Sequence, residues 1–266
     1  MPLLRFRPRP AARPAAPRQA RVPAGQRLYV VGDIHGRVDL AAQMLDSIRA
    51  DAATAPPGLH HTLVFLGDYV DRGPDSRGVL DLLAGHPPPG FGAIFLKGNH
   101  EEAMLAFLAD PAVGNDWLRF GGQTTLASYE VYRHPSLSHD EWLEVARDAL
   151  AAQLPPLHLA FLRALRGRLK VGDYVFAHAG IRPGVPLDRQ EEQDLLWIRE
   201  PFLSSTADHG AVVVHGHTIT EAPDIRHNRI GIDTGAYATG RLTCLVLEGA
   251  ERRFLCTGDA PAKPQT

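Results

Sequence analysis

Apolar positions along the chain fall into two alternating spacings. Short runs rich in β-branched and aromatic residues predict strands, and between them apolar residues recur every three or four positions, as on one face of a helix. Arg27–Val31 is the first run, and Leu40, Met44, Leu45 and Ile48 then share a helical face. Thr62–Leu66 is a second run, Arg77–Ala84 a short helix, and Ala93–Leu96 a third run. Helical spacing dominates from 101 to 167, with breaks near Pro111, Pro135 and Pro155. Strand-like runs return at Tyr174–Ala177, Ala211–Val214, Ile230–Asp233, Leu242–Leu247 and Arg253–Cys256. The order is β-α-β-α-β, a helical insertion over about 102–170, and a β-rich second half, which places the chain in the α/β class. No period marks a repeat, and no long linker divides the core.

Composition narrows the picture. Hydrophobic residues are 44% and charged residues 22% of 266, ordinary for a folded domain. No apolar run approaches the roughly 20 residues a membrane span needs, so no membrane partner is expected. Two cysteines, Cys244 and Cys256, exclude a disulfide scaffold and a cysteine-rich zinc module. The paired-thiol deficit and the lack of a signal-peptide pattern point to a cytoplasmic protein. Seven of the 28 basic residues are arginines within the first 27 positions, where there is no acid; the remaining 21 against 30 acids leave the body at −9. So acidic a body is a poor nucleic-acid surface and suits carboxylates that meet cations. Residues 1–26 carry six prolines and are expected to be a disordered tail, as are 260–266, leaving 27–259 as the folded domain.

The chemistry-bearing residues stand where apolar runs end. The first run leads to Gly32-Asp33-Ile34-His35-Gly36, the second to Gly67-Asp68-Tyr69-Val70-Asp71-Arg72-Gly73, the third to Gly98-Asn99-His100-Glu101. Tyr174–Ala177 leads to His178-Ala179-Gly180, and Val212–Val214 to His215-Gly216-His217-Thr218. One Gly-Asp is read most simply as a turn. Three in register are not, because ligands in open α/β sheets bind beyond the carboxyl ends of strands. The donors are carboxylate, amide oxygen and imidazole, a set that suits manganese, iron or zinc rather than a thiolate centre or a calcium cage. Six such ligands fit two cations about 3.5–4 Å apart that share one carboxylate.

The ordered motifs resemble the phosphoprotein phosphatase family of calcineurin-like metallophosphoesterases, in particular bacterial and phage-type serine/threonine phosphatases, over about residues 27–247. The resemblance implies two mixed β-sheets in a sandwich flanked by helices. It implies two divalent transition-metal ions, with manganese favoured, held by Asp33, His35, Asp68, Asn99, His178 and His217, with Asp68 bridging. It makes His100 the proton donor oriented by Asp71, and Arg72, Arg199 and Asn99 the residues that hold the phosphate. The activity it implies is attack on phosphorus by a hydroxide held between the metals, with a phosphorylated protein or small phosphoester as substrate. The alternative is a symmetrical bis(5′-nucleosyl)-tetraphosphatase, and a third reading is a binding protein on a dead phosphatase, against which the ligand set is unbroken. Arg182 rivals Arg199 as the second arginine, and His215 and Glu101 are read as partners behind the ligands.

Overall fold

The computed structural model describes residues 19–85 and 87–258. The first sheet has the order β10-β9-β1-β2-β3, from β1 (Gln26–Val31), β2 (His60–Phe65), β3 (Phe91–Phe95), β9 (Thr243–Glu248) and β10 (Glu251–Cys256). β1, β2 and β3 run parallel, while β9 pairs antiparallel with β1 and β10. The second sheet has the order β4-β5-β6-β8-β7, from β4 (Arg168–Val171), β5 (Tyr174–Ala177), β6 (Val212–His215), β7 (Asp224–Ile225) and β8 (Arg229–Gly231). β5, β6 and β8 run parallel, with β4 and β7 antiparallel at the edges. Both sheets are mixed, as expected.

Alternation along the strands decides which face each side chain meets. Leu28, Val30, Val64 and Leu66 join Tyr174, Phe176, Val214, Ile230 and Leu245 in the core between the sheets. Tyr29, Val31, Leu63 and Phe65 point the other way. There they pack under α1 (Val38–Ala53), α2 (Ser76–Leu83) and the helical segment built from α3 (Asn99–Ala109), α4 (Gly114–Trp117), α5 (Gln123–Ser128), α6 (His139–Gln153) and α7 (Pro156–Ala164). The outer face of the second sheet, through Ala177 and Val213, is covered by α8 (Glu192–Trp197) and by Ile198 and Phe202. α9 (Ala236–Thr239) is a single turn after β8.

Two expectations differ from what is observed. Residues 168–170, placed in the helical insertion, belong to β4, because Leu169 packs on the inter-sheet core while the strand pairs along β5. Of the tail expected at 1–26, residues 1–18 lie outside the described residues, as does 260–266, but residues 19–25 are docked. Ala20 and Val22 are buried in the inter-sheet core, and the Arg21 and Val22 amides donate to Asp173 and to the Gly249 carbonyl.

The ring of Phe176 is fully enclosed between the sheets. Phe176→Ala should lower the free energy of unfolding by about 3–5 kcal/mol, measured by urea denaturation. A loss under about 1 kcal/mol would contradict a tightly packed inter-sheet layer.

Candidate active site

The parallel strands of both sheets deliver their carboxyl ends to one place. Asp33 and His35 follow β1, Asp68 follows β2, Asn99 and His100 open α3 just after β3, His178 follows β5 and His217 follows β6. All seven are buried. Small residues make the approach possible. A Cβ on Gly98 would collide with the Asp68 carboxylate, and one on Gly216 with that of Asp33.

The Asp68 carboxylate stands at the centre. Its Oδ2 is 3.5 Å from His35 Nε2 and 3.8 Å from His100 Nε2, and its Oδ1 is 3.4 Å from His178 Nε2. On that second side, His178 Nε2 and His217 Nδ1 each lie 2.9 Å from Asn99 Oδ1. His35 and His178 turn their Nδ1 atoms to the carbonyls of Val70 and Leu66, at 2.9 and 3.0 Å. Donation to a carbonyl puts the proton on Nδ1 and leaves the Nε2 lone pair aimed inward. Asp33 Oδ1, His35 Nε2 and His217 Nε2 are buried without a hydrogen-bond partner.

The electrostatics fit divalent cations. Burial, then the charges of Asp233 and Asp68, push the Asp33 carboxyl well above its ordinary range, and burial likewise raises Asp68. Burial, with the charge of His100 at His35 and of His217 at His178, holds these two well below theirs, and burial with the Arg199 charge takes His217 down to about 3. Neutral imidazoles and carboxylates strained by one another are the state that a bound cation would stabilise. Among the described residues, two clusters of donor atoms lie close enough to hold metal, His35 with Asp68 and His100, and Asp68 with His178 and His217. Asp68 belongs to both.

His100 differs from the other imidazoles. Burial disfavours its charge, but the Asp68 carboxylate and the hydrogen bond and charge of Asp71 outweigh that, and its pKa is raised. Its Nδ1 is 2.7 Å from Asp71 Oδ2. Asp71 is in turn held by Trp117 Nε1 at 2.9 Å and by Thr125 Oγ1 at 2.6 Å, so the helical insertion fixes the orientation of His100 from behind.

Arg72 projects from the same turn, half-buried, with its guanidinium 5.0 Å from the centre of the Tyr237 ring. Its charge is felt at Asp33, His35 and Asp68. Arg199 is exposed beyond α8 and acts on His217, whereas the rival Arg182 is tied by two hydrogen bonds to Asp194. His215 lies outside the cluster, its Nδ1 near the Gly216 carbonyl and its ring against Phe202.

Four residues were missed by motif reading or given too small a part. Glu101 accepts amide protons from Asp68 and Gly98 on Oε2 and from Tyr69 and Val70 on Oε1, at 2.7–3.2 Å, and burial with the Asp68 charge pushes it up to about 7. Asp233, after β8, repeats the apolar-run-then-carboxylate signal and adds a buried acid beside Asp33, pushed up to about 6 chiefly by burial. Tyr237 on α9 meets His35 edge-on at 5.4 Å. Phe120 reaches from the insertion to within 6.1 Å of the His100 ring.

The turns carrying these side chains are strained. His35, Asp68, Asp71, Arg72 and His217 have φ of 49°, 52°, 72°, 66° and 62°, five of the six non-glycine residues with positive φ among those described. Such conformations persist only where the surroundings over-determine them, and they gather at functional sites.

Residues 26–239 match a family model described as calcineurin-like phosphoesterase. Serine/threonine-protein phosphatase 1 of Salmonella typhimurium is 31% identical over 81% of this chain and 89% of its own. The asymmetrical bis(5′-nucleosyl)-tetraphosphatase PrpE of Halalkalibacterium halodurans is 26% identical over 81% of this chain and 88% of its own. The crystal structure of a cold-active protein-tyrosine phosphatase from a psychrophilic Shewanella shares the fold, with a TM-score of 0.52 at 18% identity, covering 88% of this chain and 83% of that one.

Glu101→Gln replaces an acceptor with an amide that faces backbone N–H groups. Because it shapes the turn behind Asp68, manganese affinity measured by calorimetry should fall about 10–100-fold. Unchanged affinity would show that the turn keeps its shape without the carboxylate.

Proposed function

This chain belongs to the calcineurin-like phosphoesterase family, and on that premise we propose that it is a two-metal phosphomonoesterase acting on phosphoserine and phosphothreonine in proteins. The observation that carries the reading is the Asp68 carboxylate, one oxygen facing His35 and the other His178. Asp33, His35 and Asp68 would hold one cation; Asp68, Asn99, His178 and His217 the other. The mixed oxygen and imidazole donors favour manganese, with iron or zinc as alternatives. When bound, such a pair neutralises phosphoryl oxygens and makes water acidic enough to attack phosphorus.

The protein's own groups supply the rest. Arg72 and Arg199 grip the phosphoryl oxygens, since a guanidinium is always charged and matches them two at a time. Tyr237 steadies Arg72 through its ring face. The Asn99 amide faces the same phosphate. An alkoxide is a poor leaving group and needs a proton. His100 delivers it from Nε2, while Asp71 holds Nδ1 and favours the charged ring.

The second reading is dinucleotide hydrolysis, favoured by the PrpE relative. That relative's name specifies asymmetrical cleavage, so the alternative shifts from the symmetrical reaction anticipated above.

Purified protein with manganese should release orthophosphate from phosphothreonine and phosphoserine peptides faster than it cleaves diadenosine tetraphosphate. ATP and AMP from the dinucleotide, with inert peptides, would replace the first reading by the asymmetrical second; ADP would point to the symmetrical reaction.

His100→Asn should lower kcat by about 10²–10⁴-fold while keeping metal, and Asp68→Asn should lose both. Equal metal loss in the two variants would contradict the separate roles. Tyr237→Leu should raise KM and the inhibition constant for phosphate several-fold, and Tyr237→Phe, which keeps the ring, should restore both. A Phe variant as impaired as Leu would move the role from the ring to the hydroxyl.

A further inference from the structure

A groove of about 420 Å³ opens beside the active site between α3, α4 and α8. Its walls are Ala106, Val113, Phe120 and Trp197, with the carboxylates of Glu102 and Asp116. Two of its wall residues also border the reaction centre. Phe120 is 6.1 Å from the His100 ring, and Trp197 is 6.4 Å from the His217 ring. Since His100 serves the departing oxygen, whatever stays attached to that oxygen extends toward this groove.

The lining carries two acids and no base. Glu102 accepts the Trp197 indole N–H at 2.6 Å, which pins the ring while leaving the negative charge uncompensated. Of the nearby cations, Lys97 pairs with Glu192 and Arg182 with Asp194, while Arg119 and Arg199 do not line the groove. Among the described residues, neither Glu102 nor Asp116 forms an ion pair. Aromatic faces beside unpaired carboxylates attract a cation twice over, through the ring quadrupole and through direct charge.

The same features disfavour a dinucleotide. Phe120 and Trp197 touch at 5.5 Å with their planes 54° apart, forming a wedge rather than the parallel slot that sandwiches a flat base. A polyphosphate entering beside two unpaired carboxylates meets like charge.

We propose that this groove seats an arginine or lysine that flanks the phosphorylated residue of a protein substrate, so that the enzyme prefers phosphoserine and phosphothreonine in basic surroundings. The proposal rests on the phosphoprotein reading above and names its substrate class. The flanking cation lies against the Trp197 face with Glu102 and Asp116 on either side.

The test uses the full chain with manganese and three phosphothreonine peptides of one length, flanked on both sides by arginine, alanine or glutamate. At low salt, kcat/KM should be about tenfold higher for the arginine peptide than for the glutamate peptide. The ratio should shrink as salt rises. In Asp116→Lys, and in the isosteric double variant Glu102→Gln with Asp116→Asn, the ratio should drop at least threefold toward unity. Gln at 102 can still accept the indole proton, which keeps the ring in place.

Peptide hydrolysis without a charge preference, or a preference that both variants retain, overturns the groove assignment and leaves the phosphatase reading standing. Inert peptides alongside cleaved diadenosine tetraphosphate overturn both.

Discussion

The turn from Gly67 to Val70 is clasped from behind by one carboxylate. Glu101 gathers the amide protons of Asp68, Tyr69, Val70 and, from the neighbouring strand exit, Gly98. Asp68 is thereby held in a left-handed conformation with its side chain crowded by three imidazoles. An unmade hydrogen bond at a buried N–H costs about 1–3 kcal/mol, so four amides satisfied by one group make this clasp a condition for the site. Glu101 lies in the first turn of α3, where a negative charge is also favoured by the helix N-terminus.

From that clasp the division of labour follows. Imidazoles whose Nδ1 atoms meet carbonyls stay neutral and offer lone pairs; the one whose Nδ1 meets a carboxylate holds a proton. In the function proposed above, the chain would thus obtain ligands and an acid from the same residue type by changing only the partner on the far nitrogen. The insertion contributes through Trp117 and Thr125, which grip Asp71, and through Phe120 beside His100.

What sequence reading could reach, and what it could not, separates along physical lines. Asp33, Asp68, Asn99, His178 and His217 stood out because each closes an apolar run, and a buried strand end is a local signal. Asp233 carried that signal after Ile230–Ile232 but was counted as the last residue of its own strand-like run. Tyr237 has no local signature; its part comes from a turn that returns it to His35 and Arg72. β4 and β7 are short edge strands of four and two residues, and in β7 the apolar Ile225 is exposed while Asp224 is half-buried, so neither shows a strand periodicity. The tail was judged by the average of its prolines and arginines, which hides that Ala20 and Val22 are buried in the core and that backbone hydrogen bonds seat residues 19–25 beside them.

The donor set draws Asp33, His35, Asp68 and Asn99 from the first sheet and His178 and His217 from the second. Any ion that engages both sets is a cross-link between two layers otherwise joined by apolar packing and a few hydrogen bonds. Its binding energy is then shared with folding, adding resistance to separation that grows with the logarithm of free ion concentration. Catalyst and rivet would be one object, so scarcity of the ion inside a cell would register first as a looser protein and only then as a slower one.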